Sequence, residues 1–272
     1  MSDTLRPAAL AFDTIAPLFD ARFGEWLSVA AQRRAVRREV LRALPKNARV
    51  LELGGGTGED AVWLAQNDFD ITLTDVSPAM VDIARKKLAS FGARAEIAAA
   101  EDLESFAKKH LHENAAFDTV FSNFAPLNCV EDLTPVVRGL ARLIKPRGMA
   151  LLVLFGTSSP GEIIVELLRG RPHQVLRRFK RTPAPARLGE SRFTVKYHRA
   201  RDLNRAMLPW FRVVSRTGIG IFVPPSAAEP WISSHPKLLN ALEALDRVAA
   251  HPLAALGDHV LYQFVRTDVP AS

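Results

Sequence analysis

The stretch Val50-Leu51-Glu52-Leu53-Gly54-Gly55-Gly56-Thr57-Gly58-Glu59-Asp60 decides the fold. Its apolar start reads as a short buried strand, and the glycines then turn the chain tightly into a helix. Glycine suits such a turn because a side chain would keep backbone N–H groups away from a ligand. Asp75 ends the next apolar run, Ile71-Thr72-Leu73-Thr74. It lies about 20 residues on, where an acidic side chain can accept from ribose hydroxyls. The spacing is not the dinucleotide Gly-x-Gly-x-x-Gly: a first pair at Gly54 and Gly56 requires glycine at position 59, where Glu59 stands.

Outward from this loop, strand and helix signals alternate. Strands are expected at 49–53, 70–75, 94–98, 117–121 and 148–155, separated by helices at 59–66, 78–91, about 102–110 and 132–144. Ser77 and Pro78 suit the N-cap and first turn of the second of these helices. Upstream, Phe12, Ile15, Ala16 and Phe19 share one helical face, and a second helix runs from Trp26 to Leu44. Apolar runs separated by amphipathic helices predict a Rossmann-like α/β fold. Its sheet is seven-stranded and mostly parallel, with helices on both faces and a helical cap or lid insertion.

Three segments follow: 1–155 holds the N-terminal helices and the ligand-binding core, 156–192 is a basic helical cap, and 193–272 completes the sheet. In the cap, Ser159-Pro160 opens a helix, a basic helix is expected over 173–181, and Thr182-Pro183-Ala184-Pro185 reads as a rigid connector. The last segment should supply a strand at 193–197, a helix at 199–207 and strands at 211–215 and 259–266. A second lid insertion is expected at about 218–257, with its helix near 236–250. Its apolar residues Ile219, Ile221, Phe222, Val223, Trp231 and Ile232 suit either a hydrophobic substrate or packing onto the sheet.

A chain of 272 residues with 48% apolar content can bury a full core. Cys129 is the single cysteine, so no intramolecular disulfide and no thiol metal cluster are expected. Residues 1–11 carry no leader pattern, and no apolar run is long enough to cross a bilayer, which reads as a cytoplasmic protein. The net charge of +7 is uneven: residues 160–216 hold 14 Lys/Arg against four acids. That excess points to an anionic substrate, carrier or surface, or else to a solvated arginine-rich face.

The pattern Glu52-x-Gly54-x-Gly56-x-Gly58, with Asp75 after the second strand, resembles the first motifs of class I S-adenosylmethionine-dependent methyltransferases. The likeness is strongest to the small-molecule branch that includes quinone- and biotin-pathway enzymes. It implies S-adenosylmethionine as cofactor and a methyltransferase activity. By the resemblance, Glu52, Gly54, Gly55, Gly56 and Gly58 lie under the methionine and ribose, Asp75 holds the ribose, and Val76 and Met80 flank the adenine. The run Ala99-Ala100-Glu101-Asp102-Leu103 resembles the adenine-contacting segment. Its usual first acid is Ala99 here, which leaves Glu101 or Asp102 to substitute. Asn123 follows the fourth strand, beside the methionine position.

Methyl transfer from a sulfonium needs positioning first, and a general base only for some nucleophiles. His198, Asn128 and His173 are the catalytic candidates, as polar side chains near strand ends or in the cap; Glu162, Arg177 and Tyr197 share that region. His110 and His112 read as solvated, and Cys129 as a buried small apolar residue. A small organic metabolite, anionic, aromatic or hydrophobic, is the expected partner, with a carrier protein or a homodimer as further options. The segment Asn123-Phe124-Ala125-Pro126 lacks the Pro-Pro-aromatic pattern of base-amine methylases, so nucleic acid is not expected. The alternatives are an RNA methyltransferase drawing on the basic cap and a non-catalytic scaffold subunit.

Overall fold

The computed structural model describes residues 6–110 and 116–270; His112 and the first five residues of the N-terminal reading lie outside them. Two helices, α1 (Pro7–Phe23) and α2 (Leu27–Ala43), precede the alternating core. The core runs β1 (Arg49–Leu53), α3 (Glu59–Gln66), β2 (Asp70–Asp75), α4 (Pro78–Leu88), β3 (Arg94–Ile97), α5 (Leu103–His110), β4 (Phe117–Ser122), α6 (Thr134–Leu143) and β5 (Ile144–Phe155). The cap holds α7 (Pro160–Leu168), α8 (Pro172–Val175), β6 (Ala184–Leu188) and β7 (Ser191–Val195). The chain then adds α9 (Ala200–Met207), β8 (Phe211–Ile219), α10 (Pro236–Ala249) and β9 (His259–Arg266).

The seven-stranded sheet has the order β3-β2-β1-β4-β5-β9-β8. The first five strands are parallel, and β9 runs antiparallel to both of its neighbours. Strict alternation along each strand divides the core into two layers. Leu51, Leu53, Val120 and Leu152 pack against α5, α6 and α9, whereas Val50, Ile71, Leu73 and Phe121 pack against α2, α3 and α4. The order reverses between β1 and β4, and this opens a crevice at their carboxyl ends, the usual ligand position in open α/β sheets.

Three expectations about the peripheral segments change. The connector at 182–185 and the strand at 193–197 become a two-stranded ribbon, β6–β7, apart from the main sheet. Gly189 and Glu190 form its two-residue turn, with Gly189 at φ 60°. Pro183 precedes β6, and Pro185 within it is tolerated because a two-stranded ribbon leaves half of its backbone N–H groups unpaired. The cap therefore extends beyond residue 192, through β7. The basic helix at 173–181 shortens to α8 and a 3-10 turn at Arg177–Phe179, where Arg178 turns inward. The segment at about 218–257 is a buttress: Val223, Ile232 and Leu239 pack on Ala31 of α2.

A buried arginine holds the cap to the sheet. Arg178 donates to the carbonyl oxygens of Gly156 (2.9 Å) and Asp258 (2.8 Å), to the Asp258 carboxylate (2.6 Å) and to the Glu162 carboxylate. Its guanidinium lies over the Phe155 and Tyr197 rings. Burial opposes its charge, and Asp258 and Glu162 more than offset that. Burial likewise raises Asp258, but Arg178 pulls its carboxyl well below the usual range.

Arg178→Met should cost about 3–5 kcal/mol in urea unfolding, because buried Asp258 loses its arginine and buried Glu162 is left with Arg177 alone. The wild-type advantage should be complete above about pH 4 and shrink on acidification, since the depressed Asp258 carboxyl loses its contribution as pH falls through its folded pKa.

Candidate functional site

The β1–α3 turn hangs from the neighbouring strand. Gly54 and Gly55 donate to the Thr74 carbonyl oxygen at 2.8 and 3.2 Å, and Gly56 N–H donates to Asp75 Oδ2 at 2.9 Å. The other Asp75 oxygen accepts from Ser77 N–H at 2.9 Å. Both Gly54 and Gly56 have left-handed φ, 63° and 55°. A Cβ on Gly56 would meet nothing nearer than Met80 Sδ at 4.0 Å, so the position opens onto free space. Gly55 faces the other way: a Cβ there would lie 2.5 Å from Leu73 Cδ1. The loop's glycines thus divide between ligand access and packing.

A cavity of about 790 Å³ opens above this turn. Gly54, Gly56, Asp75, Val76, Met80, Glu101 and Asn123 line it. Glu52, Gly55, Gly58 and Asp102 do not; they lie behind or beside the lining. Burial raises the Asp75 carboxyl despite its three backbone N–H donors, of Ser77, Gly56 and Val76. Glu52 is buried beneath the loop with Oε2 unpartnered. Burial, reinforced by Asp60, holds its carboxyl well above the ordinary range. Asn123 donates to Asp60 Oδ2 at 2.8 Å and accepts from Phe124 N–H at 2.8 Å. The next two residues, Phe124 and Ala125, adopt left-handed φ of 54° and 64°. Backbone strain of this kind concentrates at ligand sites.

Helix α1 forms one wall, through Ala8, Ala9, Phe12 and Phe19. Three contacts tie it across the loop. Arg6 pairs with Glu101 and Asp102. Asp13 Oδ1 accepts from Ser77 Oγ and Ala79 N–H, both at 2.8 Å, at the start of α4. Asp20 accepts from Thr57 Oγ1 at 2.6 Å and pairs with Lys87.

Beyond Phe124 the cavity continues into an aromatic chamber lined by Phe155, Phe193, Val195, Tyr197 and Arg177. Glu162 holds Arg177 through Nε at 2.8 Å. Phe193 of the ribbon meets Phe12 of α1 at 5.9 Å between ring centres, which joins the two walls. Burial pushes the Tyr197 phenol up, although Arg177 and Arg178 act to lower it. The Cys129 thiol also lines the cavity, and burial pushes it up to about 12.

None of the three catalytic candidates lines this cavity. His198 is buried with Nε2 2.9 Å from the Val130 carbonyl oxygen, so it acts as a donor that pins the chain after β7. Burial lowers its pKa. Asn128 is fully buried; its amide donates to Lys196 O at 2.6 Å and accepts from Phe155 N–H at 3.0 Å. His173 is exposed on α8. His110 is not solvated as expected: it lies 3.2 Å from Glu96 and against Phe106. Residues 219–232 contribute nothing to the cavity lining. Sequence reasoning missed Phe155, Phe193 and the clamps Arg6, Asp13 and Asp20, whose partners are distant in sequence. Among the described residues, no cluster of His, Cys, Asp and Glu suits a metal ion.

Residues 50–148 match the family model described as a methyltransferase domain. The chain is 26% identical over 128 residues to the protein named putative methyltransferase YqeM of Bacillus subtilis (strain 168). That match covers 44% of this chain and 48% of YqeM. It is 28% identical over 158 residues to the biotin biosynthesis bifunctional protein BioHC of Cellvibrio japonicus, covering 57% of this chain and 29% of BioHC. The chain thus spans at most about half the length of these curated relatives. An S-adenosylmethionine-dependent methyltransferase from Mesorhizobium loti superposes with a TM-score of 0.54 at 16% identity, covering 87% of this chain and 98% of that one. Sheet order and glycine turn define a class I methyltransferase fold. The match to a methyltransferase domain covers residues 50–148, and the fold likeness extends beyond it to most of the chain.

Glu52→Gln should stabilise the protein increasingly as pH rises from about 4. A buried carboxyl with a raised pKa keeps its proton while the unfolded chain ionises, a penalty of about 1.4 kcal/mol per pH unit between the two pKa values that the amide escapes. Thermal unfolding at several pH values reads this as a melting-temperature gap that widens with pH.

Proposed function

We propose that this protein is an S-adenosylmethionine-dependent methyltransferase acting on a small organic acid with an aromatic or apolar body. One observation carries the reading: a single cavity runs from the glycine turn and Asp75 into an aromatic chamber bordered by Arg177. The turn suits the cofactor because Gly56 opens onto free space and Asp75 presents a buried carboxylate beside it. Asp75 would accept from the ribose hydroxyls, Val76 and Met80 would flank the adenine, and Glu101 would face its amino group. Asn123 would stand near the methionine portion. When bound, the cofactor supplies an electrophilic methyl group on a sulfonium.

The chain's own residues exclude water, orient the acceptor and offer it a charge. Phe124, Phe155, Phe193 and Tyr197 give the chamber apolar walls, where positioning contributes most. Arg177, held by Glu162, would receive the acceptor's anionic group. Tyr197 and Cys129 keep their protons at neutral pH. The chamber therefore favours an acceptor whose lone pair is available without proton removal, such as a carboxylate.

Calorimetric titration with S-adenosylmethionine and S-adenosylhomocysteine should give micromolar binding; no heat with either overturns the reading. Asp75→Ala should weaken both at least tenfold, through loss of a charge-assisted hydrogen bond of about 1.5–3 kcal/mol. In a methyl-uptake screen of aromatic and aliphatic acids, Arg177→Met should raise KM at least about tenfold while leaving S-adenosylhomocysteine affinity unchanged.

A further inference from the structure

The cap is built inside out. On α7 the two acids, Glu162 and Glu166, are buried, whereas Ile164, Leu167 and Leu168 are 57%, 53% and 83% exposed. The inversion persists beyond α8: Arg178 is buried while Leu176 and Phe179 are 61% and 46% exposed. Scattered exposed apolar residues are ordinary. Five of them within 16 residues, on a segment whose acids are buried, are not.

Four cations accompany this face. Arg169, Arg171, Lys180 and Arg181 are all exposed, and none forms a salt bridge among the described residues. Arg169 and Arg171 follow the exposed end of α7, and Lys180 and Arg181 follow Phe179 directly. Apolar side chains rimmed by unpaired cations match an anionic bilayer surface, where acyl chains take the former and headgroups the latter. An acidic protein would satisfy the cations but leave Leu168 without a counterpart. A second copy of this chain would bring cations against cations.

We infer that the cap face formed by Ile164, Leu167, Leu168, Leu176 and Phe179 docks on anionic lipid. The protein lies on the membrane; among the described residues no helix is long and apolar enough to cross one. Arg177 sits between Leu176 and Arg178 and lines the chamber, so the docked face adjoins the acceptor side of the cavity. The inference is independent of the proposed activity, and its readout is binding.

The full chain is sedimented with phosphatidylcholine vesicles carrying about one third phosphatidylglycerol, and with phosphatidylcholine alone. Wild type should pellet with the anionic vesicles and remain in solution with the neutral ones. Leu168→Asp combined with Phe179→Asp should weaken partitioning at least about tenfold by removing the inserted groups. Arg169→Glu combined with Arg171→Glu should do so as well, at about fivefold or more per cation. Circular dichroism and melting temperature establish that each variant is folded. Wild type that ignores anionic vesicles overturns the inference. So does an Asp variant that still binds, which marks plain electrostatic adsorption. So does a vesicle-indifferent dimer that Leu168→Asp splits, which marks a self-association face.

Discussion

The hydrogen bond from Gly56 N–H to Asp75 Oδ2 underlies the rest of the site. It couples a loop that must stay open to a neighbouring strand whose register is set by the core. The same carboxylate accepts from Ser77 N–H, and Ser77 in turn caps α4. One side chain thereby sets the turn, the end of β2 and the start of α4. Burial raises its pKa, and this is the cost of placing an acceptor where solvent does not compete for it.

The core was legible because its signals are local. Apolar runs of strand length, glycines at 54, 56 and 58, and Ser77-Pro78 each report on their own neighbourhood, and together they define the sheet and its crevice. The periphery was not. Pro183 and Pro185 read as a stiff connector until Ser191–Val195 pairs with it, and that pairing depends on a distant surface. His198 and Asn128 had the chemistry of catalysts, yet their polar atoms are consumed in stitching the chain after β7 to the loop after β4. A sequence does not reveal which polar groups have already found a backbone partner. Arg177 and Tyr197 were named only by region, and the cavity distinguishes them from His173.

Charge in this molecule is distributed against habit. The basic segment looks from composition like one solvated face, but it contains two populations. Arg178 is internal and neutralised by Glu162 and Asp258, and Arg177 borders the chamber. Arg169, Arg171, Lys180 and Arg181 are exposed beside the apolar side chains of the cap. The buried set secures the cap against the sheet and so allows the outer surface to be apolar without loosening the fold.

Helix α1 walls both halves of the cavity, with Phe19 and Ala9 among its lining residues and Phe12 against Phe193 of the ribbon. Any coupling between two compartments that share a wall is thermodynamically reciprocal. Whatever ordering of α1 a molecule in one compartment brings about is free energy that a molecule in the other need not supply again. The helix's surface ion pairs and carboxylate clamps therefore set more than how tightly each compartment closes. They set the degree to which filling one is felt by the other.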